Sequence, residues 1–214
     1  MMAGNKKTHI IRYTIIAVIV ITSLIVSFAS PKFAFNVIAK EGVKIENAFG
    51  TKTLNIIDNR TMQMYESVFI DTGAYAAVWH LIVPTKNEQK KSFSDKIMRG
   101  ILFWFQDRVN LCFILFFLLI HRLQLILMLT PSASFILLAS VITGFLIRKI
   151  KQGNFAFASP TVHRYAIGAL VIFLSTLPFL LLVPIALSPH IFTFTFIVVS
   201  VLIQAMIANI AKRI

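Results

Sequence analysis

The side chains of this chain that are most able to do chemistry are five histidines, one cysteine and eight carboxylates. The histidines are scattered, and none forms the H-x-x-x-H or H-x-x-E-H spacing that puts two metal ligands on one helix face. We therefore predict no metal site, and we interpret each histidine as an interfacial or polar-loop residue. The five are His9, His80, His121, His163 and His190.

Catalytic arrangements are equally hard to assemble. The chain has no G-x-x-x-x-G-K-[ST] sequence, so it is not predicted to bind ATP through a P-loop. A Ser-His-Asp site needs a carboxylate beside its histidine, yet every carboxylate lies between Glu41 and Asp107. Cys112 lies in an apolar run and is interpreted as a small hydrophobic residue. The sequence predicts a protein that is not an enzyme and has no cofactor.

The distribution of charge along the chain is the feature of the sequence that says most about its location and topology. From Arg108 to the end there are eight Lys or Arg and no carboxylate. With 57% apolar and 14% charged residues and a mean hydropathy of +0.82, the composition is that of a membrane protein. The basic residues cluster beside apolar runs, as the positive-inside rule describes.

The net charge of +13 also fits a nucleic-acid-binding protein. That role needs a longer basic surface than these short clusters provide. We expect no direct sequence-specific binding of nucleic acid, whereas anionic lipid headgroups would attract the same clusters.

The first element is an apolar run from Ile10 to Ala29 that follows Lys6 and Lys7. Twenty helical residues extend about 30 Å, which matches the hydrocarbon thickness of a bilayer. A cleaved signal peptide is the alternative, but the run is long and no A-x-A site follows it. We favour an uncleaved anchor whose N-terminus is cytoplasmic.

A polar segment follows, from Pro31 to about Arg99. Apolar residues at helical spacing predict two amphipathic helices in it. The first face consists of Phe35, Ile38, Ile45 and Phe49. The second consists of Tyr65, Val68, Phe69, Ala76, Trp79 and Ile82 or Val83. We read Gly50-Thr51 and Asp58-Asn59 as breaks and residues 84–88 as a loop.

The number of membrane spans within residues 93–147 is ambiguous. The pattern over 95–121 predicts an interfacial helix, and Leu123–Ile147 is a long apolar run. Reading this region as two spans would place Arg148 and Lys149 outside, against the charge rule. We therefore predict one span over Leu123–Ile147, kinked at Pro131, with 95–121 along the outer interface or under the polar segment.

The remaining residues predict a basic cytoplasmic loop and two further spans. The loop runs from Arg148 to Arg164, and Ser159-Pro160 has the residue types of a helix start. The third span covers 165–187, the tight outer turn 188–190, and the fourth span 191–211. A transporter or channel would be expected to place ionisable groups within its spans, and these predicted spans contain none centrally.

The fold class predicted is thus an all-α integral membrane protein with four transmembrane helices. Residues 1–30 form an anchor, 31–121 a periplasmic and interfacial helical segment, and 122–214 a three-helix membrane region. Both termini are expected in the cytoplasm of a bacterium, with the protein in the inner membrane. Oligomeric state is not determined, and a homo-oligomer stays open.

The C-terminal half resembles a known family. The similar features are an aliphatic span ending Gly144-Phe-Leu-Ile-Arg148-Lys149, a short loop to Ser159, His163-Arg164, and a proline-containing span followed by a last apolar helix with a basic end. This pattern resembles the TraJ-like inner-membrane proteins of conjugative plasmids and integrating conjugative elements. The loop 152–157 departs from the family in lacking acidic residues.

The resemblance implies an accessory role in conjugative DNA transfer, beside a TraD- or TraG-type coupling ATPase and a type IV secretion channel. The partners expected are that ATPase, other conjugation membrane proteins and lipids. The residues predicted to bind the partner are Arg148, Lys149, Lys151, His163 and Arg164. Those predicted to pack within the membrane are Gln204, Asn209, Pro131 and Pro178.

Three alternatives remain at this stage. In the first, the basic residues of the loop only set the orientation of the chain and bind lipid headgroups. In the second, the protein transports a small solute or lipid. The third alternative is an exclusion or immunity membrane protein that blocks redundant transfer or a toxin.

Overall fold

The computed structural model of the protein describes residues 27–82, 96–154 and 158–210, together with Ile16, Val20 and Ser23. Every regular element in these ranges is helical, as the predicted all-α class requires. The elements are α1 (Pro31–Phe49), α2 (Thr51–Tyr65), a π-helical turn (Glu66–Ile70), α3 (Ala74–Ile82), α4 (Lys96–Gly153), α5 (Pro160–Leu182) and α6 (Pro189–Ala208). The predicted anchor over 10–29 lies largely outside the described residues, as does the predicted loop over 84–88.

The chain divides into two compact units. The polar unit comprises the described residues within 20–125 and 181–187, and the apolar unit those within 126–180 and 188–210.

Helix α1 begins where the sequence offers a cap. Ser30 Oγ accepts a hydrogen bond from the backbone N–H of Phe33 at 3.2 Å, and Pro31 follows at the first helical position. The buried face of α1 consists of Ala34, Val37, Glu41 and Ile45. The predicted face was therefore right at Ile45 and wrong at Phe35, which is 64% exposed. The small Ala34 takes the inner position because it packs against Leu111 and Leu115 of α4.

The turn between α1 and α2 lies where it was predicted. Gly50 has φ 84° and ψ 163°, a conformation open mainly to glycine. The second predicted break, at Asp58-Asn59, is wrong, because both residues lie inside α2. Asp and Asn disfavour helix only weakly, and Asp58 pairs with a residue of α4. The second predicted helix is divided, since Gly73 at φ 71° separates the π-helical turn from α3.

The predicted interfacial helix and the second span are one continuous element. Helix α4 runs for 58 residues from Lys96 to Gly153, which is about 87 Å at 1.5 Å per residue. It continues through Pro131, whose ring removes one backbone donor. Hydroxyl groups bond to carbonyls around this proline: Thr130 to Ile126 O at 2.9 Å and Ser132 to Leu129 O at 2.8 Å.

The two parts of α4 differ in burial. Ten residues between Val109 and Leu125 are buried in the polar unit, whereas between Ile126 and Ile150 only Ala133 and Gly144 are buried. Large apolar side chains in the second part face outward, among them Phe135 at 76% and Leu138 at 63% exposure. An exposed apolar surface of this kind is stable in lipid rather than in water.

The start and the end of α5 are both determined by residues close to them in the sequence. Helix α5 begins at Pro160 as predicted, with Ser159 Oγ accepting from the N–H of Val162 at 3.4 Å. The third span was predicted to reach residue 187, but α5 ends at Leu182 and residues 183–188 are not helical. The cause is Pro184, which disfavours helical geometry at the residue before it.

Three of the described helices are long and apolar enough to cross a membrane. They cover Gly100–Gly153, Pro160–Leu182 and Pro189–Ala208. Because α4 is almost three times as long as the hydrocarbon core is thick, only part of it fits within a bilayer.

Candidate functional site

A buried ion pair lies at the centre of the polar unit. Arg122 of α4 and Glu41 of α1 are both 0% exposed. Arg122 Nε donates to Glu41 Oε1 at 3.0 Å, and Nη2 donates to Oε2 at 2.9 Å, in the two-pronged geometry of a guanidinium–carboxylate pair. This pair attaches α1 to α4 between residues 81 positions apart.

Arg122 also holds the chain that follows α5. Its Nη1 donates to Leu181 O at 3.1 Å and to Val183 O at 2.7 Å, and Nη2 donates to Ile185 O at 2.7 Å. A guanidinium has five N–H donors, and these bonds together with the carboxylate use all five. The charge of Arg122 is therefore matched by one carboxylate and solvated by three carbonyl oxygens.

Carbonyls at the end of a helix lack intrahelical partners and carry partial negative charge. Helix α5 ends just before Pro184, so its last carbonyls need donors from elsewhere. Arg122 supplies some of them, and Lys44 Nζ donates to Ala186 O at 2.6 Å. Two cations of the polar unit thus stabilise the end of α5 and the non-helical residues that follow it.

A second polar pair lies next to the first. His121 is 1% exposed, and its Nε2 is 3.3 Å from Asp58 Oδ1 of α2, whose side chain is 53% exposed. His121 Nδ1 is buried and has no hydrogen-bond partner among the described residues. His121 is thus a buried residue of α4, and its interpretation as a polar-loop residue is wrong. We call Glu41, Asp58, His121 and Arg122 the polar cluster.

Arg108 binds carbonyls in a similar way at the other end of the unit. Its Nη1 donates to Ala29 O at 2.6 Å and to Ser27 O at 3.1 Å. Its guanidinium also lies 5.4 Å from the centre of the Trp104 ring, a favourable cation–π contact. These bonds hold the residues that precede α1 against α4.

Two features of the sequence indicate the buried ion pair. Arg122 is the only charged residue between Val109 and Ile147, and a lone charge in so apolar a run needs a partner. Glu41 occupies a position in the spacing Ala34, Val37, Glu41, Ile45 that is otherwise apolar. Each feature shows that a partner exists, but neither identifies it.

The predicted partner-binding residues fall in the apolar unit, and two of the five are bonded within it. Lys151 Nζ donates to Asn209 Oδ1 at 2.9 Å. His163 Nδ1 is 2.8 Å from Met206 O, a contact that requires the proton on Nδ1. Both bonds join a helix end to the last turn of α6.

The other three residues are placed differently. Lys149 and Arg164 are exposed, whereas Arg148 is half-buried and its Nε has no hydrogen-bond partner among the described residues. Arg148, Lys149 and Lys151 lie in the last turns of α4 rather than in a loop, and His163 and Arg164 lie in the first turn of α5. The exposed cations of this set are Lys149 and Arg164.

The predicted packing residues also separate into two groups. Asn209 is buried, and its Nδ2 donates to Ala205 O at 2.9 Å in addition to accepting from Lys151. Gln204 is half-buried, while Pro131 and Pro178 are exposed. A close approach that the prediction did not include lies at Gly144, where an added Cβ would be 3.0 Å from Ile207 Cβ and 3.1 Å from Gln204 O.

The Arg122–Glu41 pair of the polar cluster holds α1 against α4. A nucleophile would need an accessible reacting atom beside a base, and both members of the Arg122–Glu41 pair are fully buried. In the part of the chain that the structure describes, no three His, Cys, Asp or Glu side chains are grouped to hold a metal ion.

Comparison with known proteins gives one finding. The model of a family described as IncC plasmid conjugative DNA transfer protein DtrJ-like matches residues 13–211. No curated protein and no solved structure matches the chain. The matched range includes every described helix, both members of the buried ion pair and all five predicted partner-binding residues.

Proposed function

Because the chain belongs to the DtrJ-like family of plasmid conjugative DNA transfer proteins, we propose that it is a non-enzymatic, multi-pass inner-membrane protein that binds a coupling ATPase. In this role it links the ATPase to a type IV secretion channel. The family match, which spans nearly the whole chain, is the observation on which the proposal depends. The long apolar helices are compatible with a membrane location.

The surface proposed for the ATPase is built on Lys149 and Arg164, with Arg148 beside Lys149. Lys149 and Arg164 are exposed and have no acidic neighbours in sequence, since the chain has no carboxylate after Asp107. Such a basic surface favours an acidic partner and speeds its association. Lys151 and His163 contribute indirectly, because their bonds to Asn209 and Met206 fix the helix ends that carry the exposed cations.

The contact is tested by charge reversal. The double variant Lys149→Glu/Arg164→Glu should reduce co-purification of the coupling ATPase from donor membranes several-fold. The matched control is Lys52→Glu/Arg60→Glu, which reverses two exposed cations of the polar unit. Equal recovery of the ATPase with both variants contradicts the proposed contact, provided that both proteins reach the membrane in wild-type amounts.

The role in conjugation is tested by deletion in donors and in recipients separately. If the protein is an accessory protein of the donor, deleting its gene in donors lowers the transfer frequency. Deleting the gene in recipients then has no effect. An exclusion or immunity protein gives the opposite result, since its deletion raises uptake by recipients and leaves donors unchanged.

One observation bears on the alternative of a transporter. Arg122 and His121 lie inside the candidate membrane-spanning part of α4, where ionisable residues often mark a transport path. However, Arg122 and Glu41 are 0% exposed and the five donors of Arg122 are all bonded to the protein. The guanidinium of Arg122 is thus engaged by the protein rather than by a solute, and we favour the accessory role. Flux through the reconstituted protein would reverse that preference.

A further inference from the structure

An aromatic cavity lies in the polar unit. Its volume is about 360 Å³, within the range of roughly 300–1,000 Å³ that is usual for small-molecule sites. Four helices contribute to its wall, and most of that wall is formed by the rings of Phe35, Tyr65, Tyr75, Phe113 and Phe117. Ring contacts hold the wall in place, with centroids 4.7 Å apart for Tyr75–Phe113 and 5.6 Å apart for Tyr65–Phe117. We call this space the aromatic cavity.

None of the described residues that line the aromatic cavity carries a charge. Its polar groups are two phenol hydroxyls and the Asn110 amide. Burial raises the pKa of the Tyr65 phenol, and the nearby Tyr75 raises it further, so the Tyr65 hydroxyl keeps its proton. A cavity of this composition favours an apolar chain over a polar solute.

A second cavity of about 380 Å³ adjoins the first, because Phe35 and Ile114 line both. It is lined in addition by Pro31, Lys32 and Asn36 at the start of α1. Lys32 and Asn36 are exposed and are spaced four residues apart, on one face of the helix. We call this space the basic cavity. The two cavities together join an apolar aromatic region to a cation and an amide donor.

We propose that these joined cavities bind one anionic phospholipid. An acyl chain occupies the aromatic cavity, and the phosphate binds Lys32 and the Asn36 amide at the basic cavity. Charge complementarity identifies the headgroup, since a lysine and an amide donor suit a phosphate and no acidic residue lines either cavity. The ligand is thus distinguished from a neutral lipid by its charge and from a free phosphate by its chain.

The surroundings favour a lipid over a protein segment. Asn110, Phe113, Ile114 and Phe117 of the wall lie on the candidate membrane-spanning part of α4. Beside Lys32, Phe33 is 50% exposed and Phe28 is 83% exposed. Exposed aromatic rings next to a basic residue are typical of chains at the headgroup level of a bilayer. Lipid is therefore the apolar ligand with direct access to this surface.

The headgroup contact is tested with Lys32→Gln. The full chain is purified in mild detergent, exchanged with phosphatidylglycerol or phosphatidylcholine, and the bound lipid is counted by native mass spectrometry. The wild type should retain phosphatidylglycerol in preference to phosphatidylcholine. Loss of one cation near a phosphate should weaken phosphatidylglycerol binding about five-fold. The control Lys40→Gln removes an exposed lysine of the same helix that lines neither cavity, and should bind as the wild type does.

The chain contact is tested with Met62→Trp, which adds volume at a half-exposed residue of the aromatic cavity wall. This variant should retain much less of both lipids. Val43→Trp is the control, because Val43 is 55% exposed on α1 and lines neither cavity. Helical content by circular dichroism establishes that the variants fold, and the smaller change Met62→Phe replaces Met62→Trp if it does not.

Each of three results would overturn the proposal. Equal weakening by Lys32→Gln and Lys40→Gln would mean general attraction of anionic lipid to a basic surface. Lipid retention by Met62→Trp equal to that of Val43→Trp would mean that no chain enters the cavity. A polypeptide that co-purifies with the wild type and is lost with Met62→Trp, while lipid is unchanged, would identify a protein segment as the ligand.

Discussion

At the scale of residues, Arg122 is the most highly connected side chain of the polar unit. It neutralises Glu41, and it donates to three carbonyl oxygens of residues 181–185. Replacing a buried ion pair by apolar residues is often nearly neutral, because the desolvation of both charges is avoided. Here that replacement would leave the three carbonyls without a donor. Arg122 therefore stabilises the protein through its bonds to these carbonyls as well as through its attraction to Glu41.

The substitution Glu41→Leu should lower the free energy of unfolding by about 3–5 kcal/mol, because it leaves the Arg122 charge buried without its counterion. Unfolding in a single detergent, followed by circular dichroism, gives the value. Glu66→Leu is the control, since it makes the same replacement at an exposed glutamate of the polar unit. The double variant Glu41→Leu/Arg122→Met should remain destabilised, because the carbonyls stay unpaired. Wild-type stability in the double variant would contradict this account.

At the scale of elements, the helices of the apolar unit approach each other through a small residue. Gly144 of α4 lies against Ile207 and Gln204 of α6, where a Cβ would come within 3.0 Å of its neighbour. Small residues at such positions let helix backbones pack closely in a membrane, where apolar burial provides no drive for association. Gln204 contributes to this contact through its backbone carbonyl.

Gly144→Leu should therefore destabilise the apolar unit by about 1–3 kcal/mol, as overpacking of a close contact usually does. The control Gly168→Leu adds the same side chain to α5, where no described atom beyond the adjoining residues and backbone of α5 itself lies within 4 Å of the added Cβ. That control should be neutral or slightly stabilising, because leucine favours helix over glycine by up to about 1 kcal/mol. The midpoint of thermal unfolding in detergent compares the two, and equal midpoints would contradict a close contact at Gly144.

At the scale of the whole molecule, the charge distribution predicts the sidedness of the chain. All carboxylates lie between Glu41 and Asp107, and the exposed cations Lys149 and Arg164 lie beyond them. From the positive-inside rule we expect Lys149 and Arg164 in the cytoplasm and the acidic segment outside. With this orientation the proposed surface would face the compartment of a cytoplasmic ATPase.

Cysteine labelling tests the sidedness. In a Cys112→Ser background, Lys52→Cys should react with a membrane-impermeant maleimide in intact cells. Arg164→Cys should react only after the membrane is permeabilised. Both positions are exposed, so accessibility within the protein does not limit either reaction. Labelling of Arg164→Cys in intact cells would reverse the orientation and remove the proposed contact with a cytoplasmic ATPase.

Local features of the sequence were sufficient for some boundaries of the elements, but not for the continuity of α4 or the end of α5. Helix starts at Pro31 and Pro160, the turn at Gly50, and three long apolar helices follow from residue types that act on their immediate neighbours. The family likeness was also present in the sequence: the pattern of the C-terminal half resembles a family of conjugation proteins, and the model of such a family matches residues 13–211.

The tertiary structure alone determined which distant residues meet. Residue types show that Arg122 needs a counterion, but every carboxylate of the polar segment was an equal candidate until α1 packed on α4. The same packing turned Phe35 outward, pointed Asp58 at His121, and brought Lys32 beside Ile114. Periodicity specifies one face of a single helix, whereas a pair of residues 81 positions apart depends on how two faces fit together.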